Sequence, residues 1–357
     1  MGPEALSEVV RKVEDSPLED LLSVSIDEVQ VQMDSYLDPE VDSASLYRRW
    51  EKQQWAVSDL DFRPDVRQWA TIPQGSREAI RRTMTLFFIG EQAVTDTLGP
   101  ILHAAPHEDE RVFLATQIAD EARHTVFFHR FFEEVLQVHG GLRAALEAVG
   151  PAATAGFRRI FETHLAEATD LVRREPQNRR AWVESIVTYH LIIEGYLALA
   201  GQRNLLRYFR SAGLMPGFST GFTAVARDES RHIGFGVLAL RRRVREDPEM
   251  GRVVALKVLD LLEPCAQTAV NPETRLKLPD PGSLPAELRQ SPLELREFAI
   301  GSLGKRLRSV GLSDSAVDDL GSEMRQIYEQ LWTRYEQMHG VEHPVRWYQR
   351  QGLEASA

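Results

Sequence analysis

Apolar residues recur at three- and four-residue spacing in long segments, roughly 76–105, 109–139, 151–173, 178–211, 216–246 and 249–270. That is the period of helices with one buried face. A proline-punctuated stretch follows over 271–292 (Asn271-Pro272, Pro279, Pro281-Gly282, Pro285, Pro292), and then two further helical segments, 293–310 and 314–338. Ser76 stands where an N-cap would, and Ala79 three residues on rules out a capping box. Gly140-Gly141 predicts the end of the second segment, and Gly213 with Pro216 divides the fourth from the fifth. Strand-like alternation between turn pairs is lacking. The pattern predicts an all-α chain with a bundle of long helices at its centre.

Charge divides the chain unevenly. Of 53 acidic and 42 basic residues, giving a net −11, residues 1–45 hold 12 acids and only Arg11 and Lys12. That end carries −10, and residues 46–357 carry 40 bases against 41 acids, or −1. Short amphipathic stretches (Ala5, Val9, Val10, Val13; Leu21, Leu22, Val24) could form helices there. The expectation is nonetheless a solvated, partly disordered tail, with packing on a partner subunit as the alternative. The division is then an acidic segment 1–45, a bundle 46–270, and a proline-rich connection with C-terminal helices over 271–357. The lone Cys265 excludes a disulfide framework and a cysteine metal knuckle. There is no basic excess for a general nucleic-acid binder, no run of about 18 apolar residues, and no basic-then-apolar leader. These point to a cytoplasmic protein. The basic run Arg241-Arg242-Arg243 with Arg245 reads as a solvated helix end.

Two short segments nearly repeat: Asp120-Glu121-Ala122-Arg123-His124 and Asp228-Glu229-Ser230-Arg231-His232. Each sets a Glu and a His three apart, on one face of a helix. Single glutamates sit inside two otherwise apolar faces, Glu91 and Glu194, 30 and 35 residues before Glu121 and Glu229. Those gaps fit a helix, a turn and a return. An ionised carboxylate on an apolar face is costly to bury unless paired or metal-bound. Two divalent ions would supply +4 against four glutamates, with one neutral imidazole for each ion. This order is the dinuclear carboxylate pattern of ferritin-like bundles. The fold expected is therefore a ferritin-like helical bundle with a dinuclear metal site in a central four-helix core. Oxygen-rich ligation with one imidazole per ion suits iron or manganese, and the absence of thiolates disfavours zinc. Asp120 and Asp228 are placed to accept the ligand histidines' N–H groups.

The segments WAVSDLDF (from Trp55), FIGEQAVTD (from Phe88), TQIADEARHT (from Thr116), YHLIIEGYLALAG (from Tyr189) and DESRHIG (from Asp228) resemble the ribonucleotide reductase small-subunit superfamily. Within it they look most like the ribonucleotide reductase-like ligand-binding oxidases, over about Trp55 to Gly234. The resemblance implies that Glu91, Glu121 and His124 hold one metal and Glu194, Glu229 and His232 the other. It implies a manganese–iron cofactor, with di-iron as the alternative, and reaction with dioxygen. It also implies a long-chain fatty acid or similar lipid beside the metals, and a homodimer. Phe128 occupies the place, four residues after the first ligand His, where reductase subunits carry a radical tyrosine. Tyr189 and Val94 match the pair that becomes ether-linked in the oxidases.

The function expected is two-electron oxidation of a bound lipid. By helical phase, Phe87, Val94, Leu98, Val126, Phe127, Tyr196 and Leu197 would line its channel. The main rival is a ribonucleoside-diphosphate reductase small (beta) subunit without the radical tyrosine, because Trp55 and Asp228 match that family's internal electron-transfer pair. An acyl-carrier-protein desaturase and an iron-storage chain are weaker rivals.

Overall fold

In the computed structural model, residues 2–149, 153–273 and 291–353 are described. Chain order is α1 (Pro3–Asp15), α2 (Ile26–Ser35), α3 (Ser43–Lys52), α4 (Arg63–Thr71), α5 (Gln74–Ala104), α6 (Glu108–Glu134) and α7 (Gly141–Val149). Next comes α8, made of Ala155–Arg158, a π-wound stretch Arg159–Leu165 and Ala166–Arg174. The following helix, α9, runs Arg179–Ile186, π-wound Val187–Ala198 and Leu199–Ala212. Then come α10 (Pro216–Glu246), α11 (Glu249–Ala269), α12 (Pro292–Val310), α13 (Asp314–His339) and α14 (Pro344–Arg350). No strand occurs among the described residues.

The central layer pairs α5 with α6 and the π-wound part of α9 with α10, and α10 also packs on α6. Against the others, α10 comes close because its glycines carry no side chain: a Cβ on Gly236 would lie 2.3 Å from that of His190. By length and composition α9 could cross a membrane, yet 78% of its most apolar window is buried inside the protein.

Several sequence expectations shift. The long helix begins at Gln74 after an uncapped Pro73, so Ser76 lies inside its first turn. The second long helix stops at Glu134, and Gly140 and Gly141, both at positive φ, introduce α7 instead. Gly213 does adopt the left-handed cap, with Pro216 opening α10. Most of the proline-punctuated connection, 274–290, lies outside the described residues. Beyond it α12 to α14 are no separate unit: one core cluster runs from Tyr36 to Val345.

The acidic segment read as a solvated tail is folded onto the bundle. Val13, Leu21, Val24, Val29, Met33 and Tyr36 are fully or almost fully buried. A capping box, Ser25 with Glu28, starts α2, and a second, Asp42 with Ser45, starts α3. Bases beyond the segment offset its charge: Glu14 meets Arg49 at 2.6 Å, Asp27 meets Arg207 at 2.9 Å, and Asp34 meets Lys305 at 2.8 Å. Its acidity is thus matched across an interface that charge counting along the chain does not reveal. Two residues of the arginine run, Arg241 and Arg243, are also not solvated, whereas Arg245 is exposed. Arg241 donates to the carbonyls of Leu37 (2.7 Å) and Ser309 (2.6 Å), and the buried Arg243 pairs with buried Glu110 at 3.3 Å.

Candidate metal centre

Four helices each bring acidic groups inward: α5 supplies Glu91, α6 Glu121 and His124, α9 Glu194, and α10 Glu229 and His232. All six side chains are buried. In α6 and α10 the three-residue spacing puts Glu and His on one face. In α9 the winding matters more. Tyr189 and Glu194 are five residues apart, which in an α-helix would splay them by about 140°. Residues 187–198 wind as a π-helix, whose hydrogen bonds close at five residues, and both side chains then face the same way.

The six residues form two overlapping clusters, Glu91–Glu121–His124–Glu229 and Glu121–Glu194–Glu229–His232, each with donor atoms within 4.8 Å of one another. Glu121 and Glu229 belong to both. His124 Nδ1 lies 3.3 Å from Glu91 and 3.4 Å from Glu121. His232 Nδ1 lies 3.2 Å from Glu121, 3.3 Å from Glu194 and 3.5 Å from Glu229. Glu121 Oε2, Glu194 Oε2, Glu229 Oε2 and His232 Nδ1 are buried without hydrogen-bond partners. Orphaned buried oxygens of this kind are costly, and two cations between the clusters would satisfy them. The donor set fits a dimetal site.

The outer nitrogens are held crosswise. His124 Nε2 faces Asp228 at 3.3 Å and His232 Nε2 faces Asp120 at 3.2 Å, so each aspartate serves the histidine of the other repeat. Arg231 bridges the two aspartates, at 3.0 Å from Asp120 and 2.6 Å from Asp228. Such partners orient a ligand imidazole with its inner nitrogen free for metal. Sequence reasoning placed both aspartates but missed Arg231's bridge. It also missed Gln117, which donates to Glu194 at 2.9 Å, and His190, which meets Gln117 at 3.0 Å. One signal was there: Gln117 and His190 each stand four residues before a cluster glutamate, on the same helix face.

Burial pushes Glu91 up to about 8, and burial together with the Glu229 charge takes Glu194 well above its ordinary range. Burial opposes the charged imidazole of His124, yet Glu91, Asp228 and Glu121 together hold it well above the usual value. For His232 burial is outweighed likewise by Asp120, Glu121 and Glu194. Glu121 goes the other way: the two histidines, 3.4 and 3.2 Å away, outweigh burial and keep it ionised. Protons therefore do the neutralising here that cations would otherwise do.

A cavity of about 460 Å³ reaches the cluster, touching Glu91, Glu121, Glu194 and Glu229. Val94 and Tyr189 both line it, and the Tyr189 hydroxyl donates to Glu121 Oε1 at 2.8 Å. Of the other residues assigned to a channel, Phe87, Tyr196 and Leu197 line it too. Leu98 and Phe127 are plain core instead, and Val126 points outward, half-exposed. Phe128 packs among Phe87, Phe88 and Phe222.

A family model described as ribonucleotide reductase, small chain, matches residues 37–263. Among solved structures, a variant of an R2-like ligand-binding oxidase with an anaerobically reconstituted Mn/Fe cofactor is 23% identical, over 77% of this chain and 96% of that one, with a TM-score of 0.64. A second variant with the same cofactor is 22% identical over 85% and 96%, at 0.60, and a third 21% over 83% and 94%, at 0.58. At this identity the likeness is one of fold.

Proposed function

The chain belongs to the ribonucleotide reductase small-chain family, and we propose that within it this protein is an oxygen-activating manganese–iron oxidase acting on a bound lipid. The observation that carries this reading is the position of Tyr189, its hydroxyl on Glu121, lining the same cavity as Val94 and all four cluster glutamates. Glu91, Glu121 and His124 are proposed to hold one metal, and Glu194, Glu229 and His232 the other. When bound, the pair supplies Lewis acidity and redox chemistry with dioxygen.

The chain's own groups set the rest. Asp120 and Asp228 keep the histidines oriented. Burial first, then the Glu121 charge, keeps the Tyr189 phenol protonated well above its ordinary range, so its O–H hydrogen is present until reaction. Glu121 Oε1 is the acceptor poised for that proton. Leu86, Phe87, Phe161, Ile193 and Leu197 make an apolar wall that suits an aliphatic chain. The volume falls within the roughly 300–1,000 Å³ of ligand cavities. A long-chain fatty acid, a homodimer and a cytoplasmic setting belong to the same proposal.

The test is the ether link between Val94 Cβ and the Tyr189 oxygen. Its formation removes one hydrogen from each residue, with two electrons passing to dioxygen. Intact mass after aerobic loading with manganese and iron is expected to fall by two hydrogens. Peptide mapping should place the loss on Val94 and Tyr189, and Tyr189→Phe should abolish it. Absence of the link in metal-replete protein contradicts the oxidase reading.

One observation favours a second reading, a reductase small subunit: the buried Trp55 donates to Asp228 at 2.8 Å, and Asp228 meets His124. Nucleotide reduction on adding a large reductase subunit would decide for it. Against it, Tyr348 near the end of the chain is buried within α14.

A further inference from the structure

Two tryptophans reach the cluster from outside, through matched hydrogen bonds. Trp55 donates to Asp228, which faces His124. Trp50, on α3, donates to Asp120 Oδ1 at 3.0 Å, and Asp120 Oδ2 faces His232 at 3.2 Å. Either indole is thus two hydrogen bonds from a histidine of the cluster. Their surroundings differ. Trp55 is buried, Phe127 meets it edge-on, and the Arg123 guanidinium lies 5.3 Å over its ring. A cation over an indole face stabilises the neutral ring, and Arg123 also reaches Asp120 Oδ1, the oxygen that accepts from Trp50, at 3.1 Å, so exposure rather than charge separates the two rings. Trp50 is only half-buried, and the half-buried Tyr47 ring lies 5.7 Å from it, tilted by 35°.

We propose that Trp50, with Tyr47 as its outer neighbour, is the port through which single electrons reach the His232 side of the site. The proposal rests on the dimetal oxidase reading and adds the route its chemistry needs. Reducing dioxygen to two waters takes four electrons. Two-electron oxidation of a bound ligand supplies two, and the other two come from outside, from a carrier of the one-electron class such as a reduced iron–sulfur or flavin protein. In each transfer Trp50 gives up one electron to the oxidised site. The charge left on the indole faces the Asp120 carboxylate, and no proton leaves the ring. A reduced carrier at Tyr47 then restores the electron. The carrier is oxidised by one, the site is reduced by one, and Trp50 is unchanged. Trp50 is a relay residue in this scheme, and Asp120 positions it.

The test uses the full chain, loaded aerobically with manganese and iron, its metal content measured by elemental analysis. Mixed anaerobically with reduced methyl viologen, the loaded site is followed by the decay of its visible absorption. Trp50→Phe is expected to slow reduction about tenfold or more, whereas Trp55→Phe, which loses the same kind of hydrogen bond, stays within about twofold of wild type. Tyr47→Leu leaves the Asp120 bond in place and is expected to slow reduction severalfold, which covers the case in which Trp50→Phe loses metal. A readout independent of turnover comes from repeated exposure to dioxygen without reductant, after which oxygen adducts should map to Trp50 and Tyr47. Wild-type rates in both Trp50→Phe and Tyr47→Leu, equal slowing in Trp55→Phe, or adducts concentrated on Trp55 would overturn the port while leaving the oxidase reading intact. A chain that takes up no metal pair overturns both.

Discussion

At the scale of single residues, the metal-free cluster is held together by protons that a metal must displace. Glu91, raised to about 8, and Glu194, also raised, favour their protonated forms, as do His124 and His232. A raised value in the folded protein means the proton is bound below it, so metal and proton compete and metal affinity rises with pH. Anaerobic loading with two divalent ions at pH 7 is expected to release protons, read with an indicator dye in weak buffer. Affinity should climb from pH 6 through the Glu91 titration near 8. Loading without proton release, or affinity flat from pH 6 to 9, would contradict this electrostatic account. The six cluster residues were legible in the sequence because carboxylates inside apolar helix faces stand out against their neighbours. The residues behind them were not. Trp50, Gln117 and His190 look like ordinary members of amphipathic helices, and their roles come from partners 70 to 77 residues away, such as Asp120 for Trp50 and Glu194 for Gln117.

At the scale of elements, helical periodicity located the long helices to within a few residues, and α10 begins and ends where the pattern placed it. The π-wound centre of α9 escaped that reading, because a change of winding over three turns leaves the apolar spacing nearly unaltered when every side is buried. Its carbonyls are served from outside the helix as well: buried Arg306 donates to Gly195 O at 2.9 Å. Gly195 marks where the winding is tight, since a Cβ there would lie 2.9 Å from the His190 carbonyl oxygen. Gly195→Ala must therefore shift the turn that aligns Tyr189 with Glu194. The expected outcome is a folded protein destabilised by about 1–3 kcal/mol, with weakened uptake of the second metal and little Val94–Tyr189 linkage. Denaturant unfolding and elemental analysis would check it. Wild-type stability and full linkage would show that the π winding is incidental.

At the scale of the whole molecule, the acidic N-terminal segment, expected as a solvated tail, is structural. It covers α10 through α2 and braces α3, which carries Trp50 and lies against α6 and α10. Val13, Leu21, Val24, Val29, Met33 and Tyr36 are buried by this packing. At roughly 1.5–3 kcal/mol for each buried side chain, they stabilise the fold by an amount comparable with the whole net stability of about 5–15 kcal/mol. Deleting residues 1–41 should therefore abolish a cooperative thermal transition, and a truncated chain that melts near the full-length temperature would show the segment to be dispensable. The central claim is that the buried cluster holds two metal ions, and anomalous diffraction from crystals grown with both metals tests it most directly, with data at the manganese and iron edges. Two peaks per chain are expected, one among Glu91, Glu121, His124 and Glu229 and the other among Glu121, Glu194, Glu229 and His232. A single peak, or none at these residues in protein exposed to both metals, would contradict the account.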